Sequence, residues 1–120
     1  MPIIMRQENV TPDENDQRRL WRLITPSTVG AALKATAGVV AYKGRPSSTG
    51  HHGHSHGHTH KTLEYIYILS GRGTVQEEGK GFEVKSGDAL VIRGETPHAV
   101  WSATEEPLMA FCVTVPDDHA

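Results

Sequence analysis

The strongest constraint on how this chain can fold is its punctuation. Eight short runs rich in β-branched and aromatic residues, RRLWRLI (18–24), ATAGVVAYK (35–43), LEYIYILS (63–70), GTVQEE (73–78), GFEVK (81–85), DALVIR (88–93), HAVWSA (98–103) and LMAFCVTV (108–115), are separated by Gly, Pro, Ser or charged turn residues. Such runs read as strands. TPSTVGAALKATAG (25–38) comes nearest to a helical period, and Gly30, Gly38 and its β-branched residues reduce it to one expected turn near 27–34. Short strands spaced at about 8–12 residues imply an all-β sandwich or barrel, because an antiparallel sheet must bury its apolar face and hide its edges.

At 120 residues and 37% hydrophobic content, the chain is sized for one domain. Residues 1–17 join a small apolar head to a polar, acidic run and read as an N-terminal arm, followed by a single domain over 18–116 and a frayed end at 117–120. An arm of this kind often completes a neighbouring subunit, so a homodimer is expected. A formal charge of -2 gives no electrostatic case for nucleic acid or an anionic membrane. The eight histidines would raise the charge only below about pH 6.5. The expected partners are therefore a small-molecule substrate or ligand and other protein chains. MPIIMRQENV is not a basic, hydrophobic leader, and no apolar run approaches the ~18 residues of a membrane span. The lone Cys112 has no internal disulfide partner and reads as a reduced thiol. A soluble, cytoplasmic protein is expected.

The chemistry concentrates around HHGHSHGHTH, where histidines occupy positions 52, 54, 56, 58 and 60. In an extended chain alternate side chains share a face, so any consecutive pair can reach one metal ion. Spacing does not choose the pair. Glu64 lies just beyond His58 and His60 in HTHKTLEYIYILSG, and that juxtaposition adds one carboxylate to their two imidazoles. His54 and His56 stay open between an auxiliary metal site and a solvated, glycine-interrupted loop.

The order HxH, three residues, Glu64, six residues, Gly71 resembles the first conserved motif of the cupin superfamily. GDALVIRGETPH resembles the second, with Gly87 and His98 at the family separation, and RGTVQEEGKGFEVKS fills the interval as a hairpin. The resemblance implies an antiparallel double-sheet β-barrel of jelly-roll type with six to eight strands. It also implies that His98 joins His58, His60 and Glu64 as the fourth metal ligand. The motifs depart from the family at His52, Arg93, Glu95 and Ser102, none of them a ligand, so Gly94 and Pro97 are expected to supply the turn before His98. Arg93 reads either as a holder of an acidic substrate or as a solvated strand-end residue.

Three imidazoles and one carboxylate suit Fe, Mn, Ni, Cu, Co or Zn, with coordination positions left open as a catalytic ion requires. The expected function is that of a divalent-metal-dependent enzyme on a small organic substrate, with dioxygenase-type chemistry slightly ahead. One alternative is a non-redox isomerase, cyclase, lyase or hydrolase. Another is a non-enzymatic small-molecule or metal-binding module, for which the histidine tract is the supporting feature. Strand parity lines the expected pocket with Arg93, Thr62, Val100 and Cys112, although Cys112 also reads as a small core residue. Tyr65 and Tyr67 have the opposite parity to Glu64 and are assigned to sheet-face packing or a subunit interface; Trp101 is assigned to packing.

Overall fold

The β-branched and aromatic runs become strands close to where their punctuation places them. The computed structural model describes residues 2–30, 32–45, 61–94 and 96–117. In chain order the strands are β1 (Asp13–Glu14), β2 (Arg18–Ile24), β3 (Thr36–Tyr42), β4 (Thr62–Ser70), β5 (Arg72–Glu77), β6 (Lys80–Lys85), β7 (Ala89–Arg93), β8 (His98–Ser102) and β9 (Leu108–Pro116). They form a six-stranded sheet in the order β1-β2-β3-β9-β4-β7 and a three-stranded sheet in the order β6-β5-β8. Every pairing between these strands is antiparallel. The fold is an all-β, antiparallel double-sheet jelly roll.

The single α-helical turn among the described residues, α1 (Pro26–Val29), is a short cap on β2. Thr25 Oγ1 accepts from the Thr28 backbone N–H, Thr28 Oγ1 accepts in return from Thr25 N–H, and Gly30 closes the turn in the left-handed region at φ 69°. Among the described residues no helix is long and apolar enough to cross a membrane.

Alternation sorts the side chains of each strand. Val40, Tyr42, Ile66, Ile68, Val75, Ile92, Leu108 and Ala110 pack into one core cluster, and Leu20, Leu90 and Val100 lean on it. Burying each large aliphatic side chain contributes about 1.5–3 kcal/mol, so these inward positions dominate the stability of the sheets. The opposite face of the large sheet is also apolar: Tyr65, Tyr67, Val91 and Phe111 stand 44, 48, 58 and 38% exposed. They are neighbours, since Tyr65 pairs with Val91 and Tyr67 with Phe111.

The two motif glycines turn the chain at one end of the barrel. Gly71 and Gly87 have φ of 91° and 94°, a conformation that a side chain would strain. Gly71 C=O accepts from Ser86 N–H, and Gly87 N–H donates to Ile68 C=O, which ties the start of β7 beside the end of β4. Glu64 therefore lies at the other end of β4, paired with Ile92 near the end of β7.

Part of the expected arm joins the sheet. Asp13 and Glu14 pair with Leu20 and Arg19. Their carboxylates meet Arg22 at 2.7 Å (Asp13), Lys43 at 2.7 Å and Arg19 at 3.2 Å (both Glu14). The hydrogen bonds from Lys43 and then Arg19 hold the Glu14 carboxyl below its ordinary range.

Candidate metal centre and inner cavity

Glu64 is carried into the barrel by parity. On β4 the inward residues run Ile68, Ile66, Glu64, Thr62, so the interior passes from fully apolar to polar toward one end. The Glu64 carboxylate is half-buried and makes no hydrogen bond or ion pair among the described residues. A partly buried carboxylate in this position is chemically able to accept a cation.

His98 opens β8 on the other sheet, opposite Glu77 in the ladder and on the same side of the strand as Val100, which packs on the core. A turn delivers it: Thr96 N–H donates to Arg93 C=O at 3.1 Å, and Gly94 N–H donates to Thr62 C=O at 2.8 Å. Gly94 and Pro97 both fall in this connection. A Cβ at Gly94 would come within 2.2 Å of Thr62 Oγ1, so the turn runs close to β4 and a larger residue there would have to turn the Thr62 hydroxyl aside. The ring Nδ1 of His98 lies 2.7 Å from Thr96 C=O. A carbonyl can only accept, so Nδ1 is the donor in this contact, and in the neutral ring that leaves the lone pair on Nε2.

The described residues thus present one oxygen and one nitrogen donor of the kinds a divalent transition metal takes, and no group of three His, Cys, Asp or Glu occurs among them. The other expected ligands, His58 and His60, and the auxiliary His54 and His56, lie outside the described residues.

A cavity of about 120 Å³ opens beside Glu64, and its wall includes Arg18, Gly38, Val40, Cys112 and Thr114. Of the four residues expected to line a pocket, Cys112 does so. Thr62 lies against Gly94, and Val100 packs on the core from the small sheet; neither is among the described residues of the cavity wall. Arg93 lies at the surface, at the strand end, which is one of its two readings. Ile92 takes the inward position on β7, which turns Arg93 outward, where its guanidinium bonds Asp117 with the side chain 58% exposed.

Cys112 Sγ lies 3.9 Å from the Tyr42 hydroxyl behind the cavity. Burial first, and the Glu64 charge second, push the Cys112 thiol up to about 12. Burial also raises the Tyr42 hydroxyl well above its ordinary value. Both groups are neutral at physiological pH, so this thiol serves as wall rather than nucleophile.

Reading RRLWRLI only as a strand missed Arg18 and Arg22 on the cavity side. The signal available was the alternation Arg18, Leu20, Arg22 on one face. The alternative alternation, Arg19, Trp21, Leu23, is the more apolar of the two, yet Arg19 and Trp21 point outward, and a register shift between Arg22 and Ile24 breaks the period at Leu23.

Residues 46–114, more than half of the chain, match the family model described as Cupin domain. An uncharacterised protein of Methanocaldococcus jannaschii is 42% identical over 60 residues, covering 49% of this chain and 48% of that one. The match thus spans about half the length of this relative. Among solved structures, a predicted oxalate decarboxylase from Thermotoga maritima superposes with a TM-score of 0.71 at 20% identity, covering 96% of this chain and 100% of the other. The polyketide cyclase RemF from Streptomyces resistomycificus also gives 0.71, at 19% identity, over 97% and 80% of the two chains.

Proposed function

We propose that this chain, which belongs to the cupin family, is a divalent-metal-dependent enzyme acting on a small organic substrate. The observation that carries the reading is Glu64: an inward carboxylate with no protein partner among the described residues, on the wall of a small cavity. His58, His60, Glu64 and His98 would hold one ion of iron, manganese, nickel, copper, cobalt or zinc. Bound there, the ion supplies Lewis acidity and, where it is redox-active, electron transfer to dioxygen. Glu64 tempers the positive charge of the centre, and the Thr96 carbonyl holds His98 in the tautomer that directs Nε2 to a ligand. Val40 and Cys112 add apolar contact beside these groups for the hydrocarbon part of a substrate.

Dioxygenase-type cleavage is the first chemistry to test. Non-redox isomerisation, cyclisation, elimination or hydrolysis is the second, favoured by the similarly folded proteins named as a predicted decarboxylase and a cyclase. Elemental analysis of untagged protein prepared without added metal is expected to find about one ion per chain, and Glu64→Gln or His98→Ala to weaken metal affinity by at least about tenfold with the fold retained. Dioxygen uptake during turnover separates the two chemistries. Full turnover after complete chelation sinks both.

A second copy of the chain is the proposed protein partner, seated on the outer face of the large sheet. Tyr65, Tyr67, Val91 and Phe111 carry no charge, so apposing the patch with itself about a two-fold axis brings no like charges together.

A further inference from the structure

Most of the basic side chains around the β1–β2 corner already have a carboxylate. Arg19 and Lys43 hold Glu14, and Arg22 holds Asp13. Even the outward Arg93 has Asp117. Arg18 differs. Its backbone N–H is bound by Asn15 Oδ1, but its guanidinium makes no hydrogen bond or ion pair among the described residues. Leu20, two residues on and on the same side of β2, leans on the core, so Arg18 faces into the barrel, where it is half-buried on the wall of the cavity that holds Glu64. The separation of the two is wide enough that they form no ion pair at 4.0 Å or less, and the cavity therefore carries a positive and a negative group that do not neutralise each other directly.

We infer that Arg18 is the anchor for a carboxylate of the substrate, and that the substrate of the enzyme proposed above is a small organic acid. The fork of a guanidinium matches a carboxylate with two parallel N–H···O bonds, and a half-buried guanidinium without a partner gains most from one. Size limits the acid. A cavity of about 120 Å³ falls below the ~300 Å³ of drug-sized pockets, which suits a small acid. Thr36 and Thr114 add hydroxyls to the same wall for a further oxygen of the ligand. The field of Arg18 is felt inside the barrel, where it partly offsets the burial that raises Cys112 and Tyr42.

The inference rests on the metal-enzyme reading for the word substrate, but its test runs with or without the ion. Binding of propionate and of propionamide, a neutral analogue of nearly the same shape, is measured by calorimetry on the full chain, both as prepared and after chelation. Propionate is expected to bind and propionamide to bind at least about tenfold more weakly. Arg18→Met is expected to weaken propionate by at least about tenfold at unchanged metal content, and Arg18→Lys to recover part of the loss. Arg19→Met, which removes the same charge from the opposite face, is expected to change it less than about twofold. Circular dichroism checks the fold, and if Arg18→Met does not fold, Arg18→Lys and the acid–amide comparison decide. Equal binding of acid and amide, no propionate binding by the parent chain, or undiminished binding by a folded Arg18→Met variant overturns the inference. Propionate binding that disappears on chelation and ignores Arg18 also overturns it, while leaving the metal centre standing. A chain that takes up no metal yet binds propionate through Arg18 rejects the metal reading alone.

Discussion

The inner and outer faces of the six-stranded sheet distribute polarity in opposite ways. Inside, the residues on β4 run from Ile68 and Ile66 to Glu64 and Thr62, and β2 adds Arg18 beside Leu20. Outside, Tyr65, Tyr67, Val91 and Phe111 remain apolar and exposed. An isolated barrel would be expected to place charge in water and hydrocarbon in the core. The inversion separates two demands. On the readings proposed above, the ionisable groups turned inward would receive the ion and its ligand, and the apolar groups turned outward would receive a second copy. The deeper half of the interior, around Ile68 and Leu108, is fully buried and apolar.

The sharpest test of that division is Ile68→Ala, which removes a fully buried side chain. It is expected to cost about 2–5 kcal/mol in urea denaturation, while leaving metal content unchanged in the folded fraction. A loss below that range would mean that the deep interior is looser than its burial implies. On the outer face, Val91→Glu is expected to weaken self-association at least about tenfold in sedimentation equilibrium by burying a charge in a two-fold interface. The same substitution on an exposed position should shift monomer stability by only about 0.5 kcal/mol. A parent chain that sediments as a monomer would remove the second copy from the outer face.

The smallest expected effect sharpens the inner face. Cys112 titrates near its ordinary value in the unfolded chain but only at about 12 in the fold, so the unfolded state releases its proton first. Its contribution is therefore complete below about pH 8.5 and is lost as pH rises toward 12. Between pH 9 and 10, chelated parent protein should lose about 1 kcal/mol more than Cys112→Ala, measured as the difference in slope of unfolding free energy against pH. Parallel slopes would show that the thiol is not shielded as its burial implies. Tyr42 acts in the same direction at higher pH, since burial raises it too.

Much of this was legible along the chain. The runs at 18–24, 63–70 and 98–103 became β2, β4 and β8 with shifts of a residue or less, because turn residues mark strand ends locally. Gly71 and Gly87 were visible as motif glycines, and their positive φ supplies the physical reason. Glu64 and His98 were singled out by the resemblance of their segments to the two family motifs, and the structure places one on each sheet, with Glu64 inward; what they bind rests on the proposal above.

What the sequence by itself determined was the strand content, the turns and the positions of the chemistry-bearing residues. Tertiary structure alone decided which side of each strand is inside. A period of two is unchanged by exchanging the faces, and on β2 the apolar pair Trp21 and Leu23 is a better local candidate for the core than Arg18 and Arg22. The register of Leu20 against Val40, and of Ile92 against Glu64, settled the question by pairing with strands whose own inward faces were already committed. That pairing turned Arg93 out to Asp117 and Arg18 in toward the cavity, a choice made by contacts between residues distant in the chain.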